Sequence, residues 1–164
     1  GWIKPESTGR FHFLVSKSNF GTGSDLSYSW HINNSNVLRF TVSPDGSNET
    51  QGVGVTTVSA GTWYHMVVSY DASAGTAYLY LNGVLDAIAT GLATSINNSA
   101  EPFQVGSIEA NGSPSNFVDG VVDEIAIYSR ALHYGDVLDL YNGGDGLQYS
   151  FSVSKFLPKI INIF

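Results

Sequence analysis

GTWYHMVVSYDASAGTAYLYLNG, residues 61–83, reads as two β-strands joined by one turn and closed by another. Residues 63–70 are aromatic and β-branched, the composition that fits a pleated, half-buried surface. Asp71, Ala72, Ser73, Ala74 and Gly75 break the run with turn formers, and residues 76–81 resume an alternating apolar pattern. Asn82-Gly83 then supplies two residues that accept positive φ in a tight hairpin. Two consecutive hairpins stand here.

Outward from this stretch, strand-like segments recur at short intervals: about 10–17, 26–32, 36–43, 51–58, 62–70, 75–82, 84–90, 102–107 and 117–129. Such spacing with turn signals between segments marks a sandwich or barrel rather than βαβ units. In RFHFLVSK (10–17), Phe11, Phe13 and Val15 share a face, as do Leu38, Phe40 and Val42 in NVLRFTVS (36–43), and both sets are expected in the core. One helix is expected, over 134–141, with Val137, Leu138 and Tyr141 on one side and Gly143 closing its end. His133 stands at its start in place of a Ser, Thr, Asp or Asn, so the first turn is expected to fray.

A chain of 164 residues fits one domain and buries roughly 70% of its unfolded surface. Nine Tyr, nine Phe and three Trp supply core, and the abundant Gly, Ser, Thr and Asn supply turns; the balance is all-β. A formal charge of −7 disfavours nucleic acid or an anionic membrane as partner, because the phosphate attraction that dominates such binding is missing. No run approaches the ~20 apolar residues of a membrane span, so no membrane insertion is expected. Without cysteine there is neither a disulfide framework nor a thiolate metal site, which fits a bacterial or viral exported protein whose core needs no staples. The opening at Gly1 fits a processed product or an excerpt of something longer, and no signal peptide is visible.

The Trp63-x-His65 run with Tyr70-Asp71, followed by the Leu79-Tyr80-Leu81-Asn82-Gly83 hairpin, resembles the middle of a laminin-G-like, concanavalin-type jelly roll. FVDGVVDEIAIYSRALHYGDVLDLYNGGDG, residues 117–146, is similar to that family's closing strand, Asp-Glu pair, Tyr-Ser-Arg-Ala-Leu turn and short helix. GWIKPES (1–7), FLVSK (13–17) and VLRFTVS (37–43) resemble its opening strands. The resemblance implies an antiparallel jelly-roll β-sandwich over residues 1–146 with one short C-terminal helix. It leaves activity open, since this fold hosts lectins, adhesion modules, enzymes and structural domains.

Glycosidases on such sandwiches need two carboxylates facing one cleft about 5 to 10 Å apart. No Glu-x-Asp-x-Glu or similar run occurs, and Asp123-Glu124 are adjacent, so on a strand they face opposite sides. Asp136 and Asp139, at i, i+3 on the helix, read as solvated surface, and there is no nucleophile elbow, zinc-spaced histidine pair or phosphate loop. A non-catalytic protein is expected. His12, His31, His65 and His133 are well separated; His65 is expected to pack at the sandwich edge and donate to a backbone carbonyl. Asp123 shares a face with Val121, Ile125 and Ile127, so it is expected to turn inward, where an unpaired carboxylate is costly. Backbone amides or a calcium ion would satisfy it; related jelly rolls hold Ca²⁺ through an Asp in this strand, and Asp25, Asp45 and Asp119 are candidate further donors.

A glycan site needs an exposed aromatic platform with polar groups around it. Tyr28 and Trp30 share a face of LSYSWHI (26–32), and Tyr78 and Tyr80 share a face of TAYLYLN (76–82); each pair is either platform or core. The loop carrying Glu109, Asn111, Ser113, Ser115 and Asn116 is an alternative polar rim. Four Asn-x-Ser/Thr sequons, at Asn33, Asn48, Asn97 and Asn111, lie in expected loops and matter only in a eukaryotic secretory context. The tail, 147–164, carries two basic residues, no acid and many large apolar side chains, with Pro158 interrupting the run. It is expected to pack on its own domain or on a neighbouring subunit, the latter making a homo-oligomer. Together these features predict a recognition or adhesion module of an extracellular, cell-surface or virion-surface protein, with a glycan or surface protein as partner. The competing expectation is a structural subunit of a filament, appendage or capsid shell assembled through the tail.

Overall fold

In the computed structural model, which describes residues 1–21 and 25–147, the two hairpins of 61–83 stand as β6 (Tyr64–Asp71), β7 (Thr76–Leu81) and β8 (Val84–Ala89). The Asp71 carboxylate accepts from Ser73 N at 2.9 Å and Ala74 N at 3.2 Å, which shapes the first turn. Asn82 (φ 51°) and Gly83 (φ 76°) form the second. Before them come β1 (Trp2–Pro5), β2 (His12–Phe20), β3 (Asp25–Ile32), β4 (Val37–Val42) and β5 (Thr50–Thr57). After them come β9 (Gln104–Val105), β10 (Ile108–Ala110), β11 (Ser113–Ser115), β12 (Gly120–Asp123) and the helix α1 (Tyr134–Tyr141). A five-stranded sheet runs β12-β1-β6-β7-β8, and a seven-stranded sheet runs β11-β10-β2-β3-β4-β5 with β9 paired to β2. The protein is an all-β jelly-roll sandwich. Pairing is antiparallel except between β10 and β2.

The core lies between the sheets. Ile3, Met66, Ala77 and Leu79 point into it from one sheet and Val15, Trp30, Ile32, Leu38, Phe40 and Val42 from the other. Burying each large apolar side chain contributes ~1.5 to 3 kcal/mol. Val67, Tyr80 and Val137 make a smaller cluster where α1 covers the back of the five-stranded sheet.

The opening segment, which resembles the family's opening strands, is β1, inserted between β12 and β6. Two expectations are corrected. The closing strand is not 117–129: it ends at Asp123, because Glu124 takes a left-handed backbone (φ 50°) that breaks the pleat. Phe11 and Phe13 do not join Val15 in the core. The pairing of β2 with β3 shifts between Phe13 and Val15, and this irregularity turns Phe13 to the opposite face. The helix start is also firmer than expected: the Asp136 carboxylate accepts from His133 N at 2.7 Å and is gripped by Arg130 at 2.7 and 2.8 Å.

Candidate functional site

On β3 and β4 the residues between the core positions face outward. Cross-strand partners share a face, so Phe13 opposite His31, and His31 opposite Arg39, place all three on the outer side of the seven-stranded sheet. Val53 of β5 continues that row, and Ser29 opposite Thr41 makes the next. Phe13 and His31 stack at 4.3 Å between ring centroids, and Phe11 lies 6.0 Å from Phe13 at 24°. With Phe20, Arg39, Thr41, Glu49 and Asn116, these rings bound a depression of about 230 Å³.

Its floor is neutral and its rim charged. Burial, aided by the Arg39 guanidinium, pushes His31 down to about 3, so the imidazole is uncharged near neutral pH. Its Nδ1 meets Ser29 Oγ at 3.2 Å, and Ser29 Oγ meets Thr41 Oγ1 at 2.6 Å. Arg39 pairs with Glu49 at 3.4 Å, while its Nε is buried with no partner among the described residues. Asn116 is held in a left-handed turn (φ 45°) at the depression's edge. The arrangement offers stacked ring surface beside a guanidinium, a carboxylate and an amide. Such a surface takes a ligand with one apolar face and peripheral hydroxyls.

The residues singled out from sequence fall in several places. Tyr28 and Trp30 belong to the core, because β3 directs its even-numbered side chains between the sheets; they are not a surface platform. Tyr78 and Tyr80 do face outward, on the other sheet, but Tyr80 is buried under α1 and stacks on Tyr134 at 6.0 Å. Tyr78 alone of that pair is open, 39% exposed. Asn111 (φ 52°) and Gly112 (φ 75°) make the tight turn between β10 and β11, and Asn111 N donates to Phe20 O at 2.8 Å, so Asn111 shapes the backbone near the depression. Of the predicted rim, Asn116 reaches the site.

Asp123 is exposed, not inward. On β12 it is Val122, opposite Ile3, that packs on the core, which turns Asp123 outward with Trp2; its Oδ1 accepts from Glu124 N at 2.8 Å. No desolvation calls for a cation there. Asp25 is bonded to Asn97 and Ala100, Asp45 to its own turn and Asp119 to Ser7, and among the described residues no group of three or more His, Cys, Asp or Glu could hold a metal. The residues do not fit a calcium site. His65 packs between Trp2 (5.0 Å) and Tyr141 (5.8 Å), but its Nδ1 has no partner among the described residues. His12 accepts from Asp119 N through Nδ1 (3.2 Å), which leaves Nε2–H to donate to Ser7 O at 3.1 Å.

Comparison with known proteins agrees with this architecture. The concanavalin A-like lectin/glucanases superfamily matches residues 1–138, and the chain belongs to that family. Among solved structures, it is similar to the Ruminococcus gnavus IT-sialidase CBM40 bound to α2,3 sialyllactose, with a TM-score of 0.73 and 15% identity over 85% of this chain and 79% of that one. It is similar to a heptameric SAP-like pentraxin from Limulus polyphemus, with a TM-score of 0.61 and 15% identity over 83% of this chain and 64% of that one. It is also similar to a leech intramolecular trans-sialidase complexed with 2,7-anhydro-Neu5Ac, with a TM-score of 0.69 and 18% identity over 90% of this chain but 23% of that one. No curated protein sequence matches significantly.

Proposed function

We propose that the protein is a non-catalytic glycan-recognition module of an extracellular, cell-surface or virion-surface protein, and that sugar binds at the outer-face depression of the seven-stranded sheet. The observation that carries this reading is the stacked Phe11–Phe13–His31 surface set beside Arg39, Glu49 and Asn116. Sugar rings present C–H faces to aromatic rings and hydroxyls to charged groups, and the depression offers both. Carbohydrate ligands in the similar CBM40 structure support it. Among the described residues Glu49 is the one carboxylate lining the depression, whereas hydrolysis by the usual route needs two, which supports a binding role. The competing building-block reading rests on the tail, and residues 148–164 lie outside the described residues.

A glycan array probed with the full chain, followed by calorimetry on the strongest hit, tests the proposal. Asn116→Gly removes the amide while keeping a residue at ease with positive φ, and Arg39→Met removes the charge. Each is expected to weaken binding about tenfold, the equivalent of ~1.4 kcal/mol. A folded protein that binds no glycan, or binds one equally well in both variants, contradicts the assignment.

A further inference from the structure

β6 is paired unequally on its two sides. Toward β7, each residue from Met66 to Asp71 has a cross-strand partner. Toward β1, the ladder covers Tyr64 and His65, opposite Ile3 and Trp2, and closes at Gly1, which donates to Met66 O at 3.1 Å and accepts from Met66 N at 2.9 Å. Main-chain groups alternate sides along a strand. His65 O accepts from Asn82 N on the β7 side and Met66 bonds on the β1 side, so Val68 and Tyr70 also direct their N–H and C=O groups to the β1 side. Among the described residues, no strand pairs with them there.

The space beside Val68 and Tyr70 is a cavity of about 490 Å³. Its far wall is residues 124–132, the continuation of β12, and β12 lies two strand places from β6 with β1 between them. Two places are roughly 10 Å, so past Gly1 the lane is one strand wide. The opening cuts through the plane of the sheet and is therefore lined from both of its faces: Tyr28, Trp30 and Phe40 on the core side, Val67, Leu132 and Leu140 on the outer side. On the core side, Trp30 Nε1 is buried with no partner among the described residues, a donor that native interiors rarely leave unmatched.

The geometry points to a peptide-docking lane: a strand of a partner polypeptide, apolar on both faces, lies antiparallel to β6 in line with β1 and pairs with the main-chain groups of Val68 and Tyr70. From Met66 to Tyr70, at ~3.3 Å per residue, the lane takes about four residues. Apolar walls on both sides call for apolar side chains at successive positions, as in a strand buried on both faces. A small apolar ligand would fill the volume but leave the N–H and C=O groups unmatched, which is why a peptide is the fitting occupant. The lane belongs to the sheet opposite the proposed glycan depression, and its occupancy is read without a glycan.

The test is amide hydrogen exchange of the ¹⁵N-labelled full chain, followed by NMR, with acetyl-Thr-Val-Ile-Val-Thr-Lys-amide as probe. The control peptide carries proline at its three central positions, which stay apolar but lose their N–H groups. The Val68 and Tyr70 amides are expected to exchange at least tenfold more slowly with the probe at saturation than in the free chain, and the control peptide to bind at least tenfold more weakly. Failure of the probe to bind at millimolar concentration overturns the proposal. Equal binding of the two peptides also overturns it, since the cavity is then a plain apolar pocket. So does protection of both amides in the free chain at the outset, since the lane is then already filled by the chain itself or by a second copy.

Discussion

His31 shows how one buried side chain writes itself into stability. Its folded value of about 3 lies below the ordinary 6.5, so between those values the unfolded chain holds the extra proton. Stability therefore rises with pH through this window, is complete above about 6.5, and is lost as pH falls. His65, lowered to about 4 by burial, and His12, also lowered by burial, act in the same direction. At ~1.36 kcal/mol per unit, His31 alone costs about 2 kcal/mol at pH 5. Urea midpoints at pH 7.5 and 5 are expected to differ accordingly, and His31→Gln to flatten the slope; equal midpoints for the native protein contradict this. Asn82 makes a second residue-scale case. It holds φ 51° and its Oδ1 accepts from His65 N at 2.8 Å. Asn82→Ala loses that bond and strains the backbone, an expected cost of about 2 kcal/mol in urea unfolding. Asn82 was legible in the sequence because Asn-Gly announces its turn. Arg39 and His31 were passed over although the alternation of β3 and β4 held the signal: each sits between two core residues, and so must face out.

At the scale of elements, the helix start is decided by a partner outside the usual capping pattern. Arg130 and Asp136 form a two-pronged pair, and Asp136 also takes the His133 N–H. The Arg130 hydrogen bonds, with that N–H, hold the Asp136 carboxyl below its ordinary range. Asp136→Ala and Arg130→Met are each expected to lower the melting temperature, and the double variant to fall by less than the sum, since both remove one unit. Strictly additive losses would show that the pair is not coupled. Strands with clear alternation, such as β4, β6 and β7, were legible within a residue or two. Those that failed did so for local reasons. Leu14 sits at the register shift that takes Phe13 out of phase with Val15, and Glu124's left-handed turn cuts off the strand that Ile125 and Ile127 seemed to continue. β1 is four residues long, too short to show a period, so the resemblance of residues 1–7 to an opening strand, and not alternation, marked it; its place is set by pairing on both edges.

For the molecule as a whole, the sandwich is core plus a few bridges between sheets. Asp86 of β8 is one: its carboxylate accepts from Val55 N and Thr56 N of β5, each at 3.0 Å, and so ties the two sheets at one side. Asp86→Ala is expected to cost about 2 kcal/mol in urea unfolding, from two hydrogen bonds to a charged group. A change below a few tenths of a kcal/mol would show those bonds to be replaced by water. The overall architecture was legible because many independent hairpins agreed on it. The proposed glycan site was not, apart from Asn116, because the depression is assembled by register between strands distant in sequence. The most direct test of the function is an NMR titration of the ¹⁵N-labelled full chain with its strongest array glycan. The account predicts saturable shifts clustered at Phe11, Phe20, Arg39 and Asn116; shifts clustered around Tyr78 on the opposite sheet, or none at millimolar glycan, would contradict it.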